Sequence, residues 1–294
     1  MSILLLVVAL VAAVFSLNAI VTRPGRYGPW WFPALFAGEL APFHLAAQAA
    51  VGAGFWLRGW AGGWAGWTGL VLLAASAGML AVNHLRALRT KRVVQWAAAS
   101  AGVPITMPGP RLLRLIRPYP APPAGVAVRR DVAYGPEPAH RLDLFAPKEP
   151  AGVLPVLLQV HGGGWTGGRR DQQARPLMHR MASAGWLVVS ISYRLSPRAT
   201  YPDHLIDVKR AIAWIRRHGP DLGADPSFVA ITGGSAGGQL AAVAALTGGR
   251  LDYQPGFEAA DTSVQACVPL YGVHDLLDKT RTRPKWPYLA RYVL

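Results

Sequence analysis

The sequence predicts an α/β domain that follows a helical region of membrane type. Three observations lead there: apolar runs of spanning length before residue 85, a basic Pro-rich stretch after them, and β-rich runs alternating with helical ones beyond residue 125. The 294 residues are 52% hydrophobic and only 15% charged. Their mean hydropathy of +0.24 is too apolar for an ordinary soluble domain of this size. The expected organisation is therefore a transmembrane region of about three helices over 1–85, a linker near the headgroups over 86–124, and an α/β domain over 125–294.

Taken in order, Ile3 to Val21 is almost wholly Leu, Val, Ala, Ile and Phe, about long enough to cross a roughly 30 Å hydrocarbon core. A secretory signal peptide is the alternative, but no Lys or Arg precedes the run and no small-residue cleavage box follows it. Leu35 to Leu57 has spanning length but carries Glu39, Pro42, His44 and Gln48, so it reads as a polar-lined bundle helix or a re-entrant segment. Trp60 to Val82 is the third run, with glycines at 59, 62, 63 and 66 that permit close helix approach. Trp30, Trp31, Trp56, Trp60, Trp64 and Trp67 sit at the ends of these runs, where amphipathic rings favour the headgroup layer. With three spans, Arg23 and Arg26 share a side with Arg86, Arg89, Lys91 and Arg92, and positive-inside places the α/β domain in the cytoplasm; with two spans that assignment reverses.

The net charge of +15 raises nucleic acid as a partner, yet no helix-turn-helix, zinc or RNP signature accompanies it. Its concentration beside apolar runs and in Arg111, Arg114 and Arg117 suits an anionic membrane surface instead. A single cysteine, Cys267, excludes a disulfide framework and any multi-cysteine metal site.

In the second half, β-rich runs are expected at Val126–Tyr134, Arg141–Phe145, Val156–Val160, Leu187–Ser192, Phe228–Thr232 and Val264–Leu270. The Tyr201–His218 helix should bury Leu205, Val208, Ile212 and Ile215 while Lys209, Arg210, Arg216 and Arg217 stay wet; Gly219-Pro220 stops it. Ala236–Leu246 is apolar on nearly every side, which fits packing against a sheet.

Two motifs carry chemistry. His161-Gly162-Gly163-Gly164-Trp165 follows a strand directly, and without Cβ atoms its chain can turn sharply and aim N–H groups into one concavity. Gly233-Gly234-Ser235-Ala236-Gly237-Gly238 satisfies G-x-S-x-G between a strand and a helix, the context of a nucleophile elbow. A glycine-rich turn and a serine-capped helix are the plain alternatives. The absence of a P-loop lysine lowers the nucleotide reading.

Residues 125–294 resemble the hormone-sensitive-lipase-like group of α/β-hydrolases, and within it the membrane-anchored actinobacterial carboxylesterases. The likeness rests on the two motifs together with Tyr193-Arg-Leu-Ser-Pro-Arg198, Tyr201-Pro-Asp-His204, Asp207-Val-Lys-Arg210 and Tyr253-Gln-Pro-Gly-Phe-Glu258. It implies an α/β-hydrolase fold with a mostly parallel, doubly wound sheet. It further implies Ser235 as acyl-accepting nucleophile, N–H groups of Gly163, Gly164 and Ala236 as oxyanion hole, an ester or lipid substrate, and no metal or organic cofactor. Many relatives carry Asp where this chain has Gly234.

The chain order in this fold is Ser, then Asp or Glu, then His. Of the eight histidines only His274 follows Ser235, and consecutive side chains such as His274 and Asp275 diverge too much to orient one another well. The sequence therefore reads as a member in which the last two strands, with the acid and the base, are missing. His161 is expected to brace the glycine loop. An arylformamidase-like amidase and a non-catalytic membrane module that binds lipid or a partner stand as alternatives.

Overall fold

The computed structural model describes residues 1–21, 31–103, 105, 107, 120–277, 279 and 293. The chain divides into two compact units near residue 110.

The first unit is helical: α1 (Ser2–Ile20), α2 (Trp31–Glu39), α3 (Ala41–Leu57) and α4 (Gly63–Ser100). Leu5, Ala9 and Leu73 are buried between α1 and α4, where the Ser16 and Ser76 hydroxyls meet at 2.7 Å. A glycine makes this approach possible, but not one of those expected. A Cβ on Gly69 would stand 2.9 Å from Leu5 Cγ and 3.2 Å from the Leu5 carbonyl carbon, whereas Gly59, Gly62 and Gly63 face nothing within 4 Å and Gly66 meets the Ala61 carbonyl. The positive φ of Gly59 and Gly63 shows that they shape the turn before α4.

By length and composition α1 and α4 can each cross a membrane, and the α2–α3 pair, bent by 85°, raises the number to three if it counts as one span. Trp56, Trp64 and Trp67 are exposed, whereas Trp60 is partly buried against Phe55; Trp30 and the side chain of Trp31 lie outside the described residues. The segment expected to be linker from residue 86 begins instead as helix, because α4 continues to Ser100. Between Gly78 and Gly102 the sequence holds no glycine or proline and is rich in Ala, Leu and Arg, so nothing stops the helix before Gly102, at φ +74.

The second unit is a six-stranded sheet of β1 (Val126–Ala133), β2 (Arg141–Pro147), β3 (Leu154–Val160), β4 (Leu187–Ile191), β5 (Ala224–Gly234) and β6 (Ala266–Leu270), in the order β1-β2-β4-β3-β5-β6. The β1–β2 and β2–β4 pairs are antiparallel; β4–β3, β3–β5 and β5–β6 are parallel. The α/β expectation holds, with all six runs recovered as strands. Apolar runs such as Val156–Val160 are buried on both faces, as parallel strands under helices must be. On one face Val156, Leu158, Val189 and Ile231 pack with α6 (Asp203–His218) and α7 (Ala236–Leu246). On the other, Leu157, Val188 and Phe145 pack with Met178 and Ala182 of α5 (Arg175–Ser183).

In α6, Leu205, Val208, Ile212 and Ile215 form the buried stripe, but Lys209 is fully buried rather than wet. A loop over 247–262 closes on this side of the helix and supplies oxygens: Lys209 Nζ donates to the Thr247 carbonyl and, at 3.1 Å, to Thr262 Oγ1. Burial, helped by Arg250, pushes the Lys209 pKa down.

Asp207 is the other buried charge of α6. Arg194 donates to it through its backbone N–H at 2.9 Å and its guanidinium at 2.7 Å, and His140 Nε2 lies 2.8 Å away. Glu137 N–H donates to His140 Nδ1, which leaves the ring proton on Nε2, facing the carboxylate. Burial pushes the Asp207 carboxyl up, but hydrogen bonds from His140 and Arg194 outweigh it and hold the pKa below the usual range. Asp207→Ala strands both partners, so it should destabilise the unit by about 3–5 kcal/mol, read as a lowered unfolding midpoint in detergent-solubilised protein.

Candidate active site

The turn after β5 departs from ordinary backbone geometry at one side chain. Ser235 has φ 55° and ψ −119°, a conformation that costs a non-glycine residue about 1–3 kcal/mol. It is half-exposed, while its neighbours from Val229 to Ala241 are otherwise buried. Its N–H donates to the Leu270 carbonyl at 2.9 Å, and its carbonyl accepts from Gln239 N–H at 3.0 Å. The turn is thus pinned between β6 and the first turn of α7.

At Gly233 and Gly237 this turn has no space for a side chain. A Cβ on Gly237 would lie 2.2 Å from the Val160 carbonyl oxygen and 2.5 Å from that of His161; one on Gly233 would lie 2.6 Å from Val160 O. On the facing loop, a Cβ on Gly162 would meet Gly234 O at 2.5 Å and Ser235 Cβ at 3.3 Å. The two motifs, far apart in sequence, are brought into backbone contact because β3 and β5 are adjacent and parallel.

The loop after β3 is held by residues the sequence reading passed over. Gly162 N–H donates to Gln173 Oε1 at 2.8 Å, so it is already engaged. Gly163 and Gly164 both have positive φ. Gly163 N–H and Ala236 N–H make no hydrogen bond among the described residues, which leaves two donors beside Ser235 of the kind that can stabilise a developing oxyanion. Trp165 is buried in the core and donates Nε1–H to Gln239 Oε1 at 3.3 Å.

His161 stacks on Tyr193 with ring centroids 4.4 Å apart and planes 12° from parallel, and Tyr193 OH donates to the His161 carbonyl at 3.0 Å. Nδ1 sits 2.8 Å from Gly162 O, an acceptor, so this nitrogen carries the proton and Nε2 is left buried without a partner among the described residues. Burial pushes the His161 pKa down to about 4, against a raising effect of the Gly162 contact. A neutral, stacked imidazole braces the loop, as expected from the sequence. His274 is exposed and makes no hydrogen bond to Ser235.

Gly234, where Asp was expected from the resemblance, is explained by Tyr271: a Cβ here would stand 2.5 Å from the tyrosine OH. Tyr271 is itself at φ 41° and largely exposed. No sequence signal pointed to it, because its ring reaches the elbow only through the β5–β6 pairing.

Two outcomes follow from these contacts. Gly237→Ala meets an immovable backbone carbonyl and should cost about 1–3 kcal/mol or more, whereas Gly234→Ala meets a mobile ring tip and should cost less; comparing the two unfolding midpoints checks this. His161 has its pKa depressed in the fold, so its contribution is full above pH 6.5 and is lost as pH falls toward 4. The loss amounts to about 3 kcal/mol, and His161→Asn should remove that share of the acid destabilisation measured between pH 7 and 4.

Comparison with known proteins accords with this geometry. The chain is 42% identical to the probable carboxylic ester hydrolase LipM of Mycobacterium tuberculosis over 92% of its own length and 66% of LipM. It is 49% identical to the esterase LipQ of the same organism over 56% of the chain and 40% of LipQ. The chain thus spans less than two thirds of the length of either relative. Among solved structures, a truncated carbohydrate esterase from gut microbiota superposes with a TM-score of 0.51 at 26% identity, over 55% of this chain and 63% of that one. The BD-FAE family model matches residues 142–289, a stretch that begins in β2 and takes in both glycine motifs. On that match over half of its length, the chain belongs to the BD-FAE family and is a hormone-sensitive-lipase-like α/β-hydrolase.

Proposed function

We propose that this protein is a membrane-anchored serine carboxylester hydrolase that acts on short- to medium-chain acyl esters through an acyl-enzyme on Ser235. The observation that carries the reading is the strained, half-exposed Ser235 beside the unbonded N–H groups of Gly163 and Ala236. The names of LipM and LipQ support the ester class.

In this mechanism Ser235 Oγ attacks the ester carbonyl carbon while its proton passes to a base. The carbonyl oxygen becomes an oxyanion held by the N–H groups of Gly163, Gly164 and Ala236, each such donor worth about 10²–10³ in rate. Collapse expels the alcohol with that proton, and water then releases the acid by the same route. The base must reach Oγ. Among the described residues His161 is committed to the loop and His204 is hydrogen-bonded to Ser196 Oγ at 3.1 Å, so neither serves Ser235. The start of α7 adds partial positive charge where the oxyanion forms. α1 and α4 would supply the anchor, and the basic residues 86–92 favour a cytoplasmic hydrolase unit if the bent α2–α3 pair crosses.

The test is fluorophosphonate labelling of membranes that express the full chain, with the labelled peptide identified by mass spectrometry. The expected result is phosphonylation of Ser235 that Ser235→Ala abolishes. Folded, membrane-inserted protein that leaves Ser235 unlabelled overturns the reading and favours a binding module built on a hydrolase shell.

A further inference from the structure

On the sheet face covered by α5, away from the glycine junction, lies a cavity of about 300 Å³. Arg130 of β1, together with Arg175 and His179 of α5, reaches it, and Phe145 and Pro122 form part of its wall. Residues 175 and 179 stand four apart, on one face of the helix.

His179 is only 6% exposed, yet it makes no hydrogen bond among the described residues. It packs on Phe145 with centroids 5.7 Å apart. Its ring nitrogens keep the residue's small remaining exposure, so a guest in the cavity can reach them. Burial and the two nearby guanidiniums, Arg175 and then Arg130, push the His179 pKa down, so the ring sits in a field that favours a negative guest.

The carboxylates nearby are already engaged. Asp171, the acidic group of the lining, is held by Arg169 through bonds of 3.1 and 2.9 Å. Asp143 takes Arg170 Nε at 2.8 Å and stands 3.5 Å from Arg130, so two guanidiniums share one carboxylate. Arg170 also pairs with Asp131 at 2.8 Å. Arg175 Nε donates to the Asp171 carbonyl at 2.7 Å, which fixes its guanidinium at the wall.

We propose that this cavity binds a phosphate-bearing anion, gripped by Arg130 and Arg175 and hydrogen-bonded by His179. Two planar guanidinium forks and an imidazole converging on one space suit the several oxygens of a phosphate better than a single carboxylate. The wall residue Pro122 ends a sequence segment that carries Arg111, Arg114 and Arg117, of the same sign and of the type drawn to anionic lipid. The phosphate can therefore come from a lipid headgroup or from solution.

Calorimetric titration of the full chain in nonionic detergent separates these sources, using inorganic phosphate in one arm and phosphatidylglycerol in mixed micelles in the other, with diacylglycerol as the phosphate-free control. Saturable binding in either arm, weakened at least tenfold by the R130Q/R175Q pair and by His179→Phe, is the expected result; the arm that responds names the source. Arg175→Lys should retain more affinity than Arg175→Gln, and an unchanged melting midpoint shows that each variant is folded. Absence of saturable binding in both arms, or equal binding by wild type and the double variant, overturns the proposal. The outcome is independent of whether Ser235 is labelled.

Discussion

Backbone meets backbone, with no side chain between, where the loop after β3 touches the turn after β5. The carbonyls of Val160 and His161 lie against Gly237, and Gly162 lies against Gly234 and Ser235. A Cβ at Gly237 or Gly162 would collide with main-chain atoms that cannot move without unpicking the β3–β5 ladder. The contact is what sets donor groups next to a hydroxyl, and it exists only if two strands distant in sequence run side by side and in register.

Much of the polar architecture around the junction serves to hold that register. Gln173 takes the N–H of Gly162, Tyr193 supports His161 from one face, and Ser235 is tied to Leu270 and Gln239. Further out, the Asp207 cluster joins α6 to the loops that carry Arg194 and His140, while Lys209 ties α6 to Thr247 and Thr262. Both are buried charges with oriented partners. Removing one partner of such a pair leaves the other charge stranded.

The helical unit of the proposed membrane anchor meets a different constraint, because in lipid apolar burial gives helices no reason to associate and close packing and shared polar groups must do so. Gly69 against Leu5 and the Ser16–Ser76 hydroxyl pair answer that need between α1 and α4. Spacing arguments located glycines of the right kind but missed Gly69, because which glycine faces a partner depends on the rotation of the helix.

Sequence by itself was sufficient for the local features. Six β-rich runs, the apolar stripe of α6, the bounds of α7, the long apolar runs of the first unit and both glycine motifs follow from periodicity and from residues whose backbone preferences act over a few positions. The elbow was legible because G-x-S-x-G needs only its immediate strand and helix. Tertiary structure decided the rest: that Lys209 is buried rather than wet, that Trp165 belongs to the core, that Tyr271 fills the space over Gly234, and that His179 lines a cavity with two arginines. Each of these depends on contacts between segments remote in sequence, which no local pattern encodes. The physical reason is common to all four, since burial and charge environment belong to the packed ensemble of neighbours and not to the residue that experiences them.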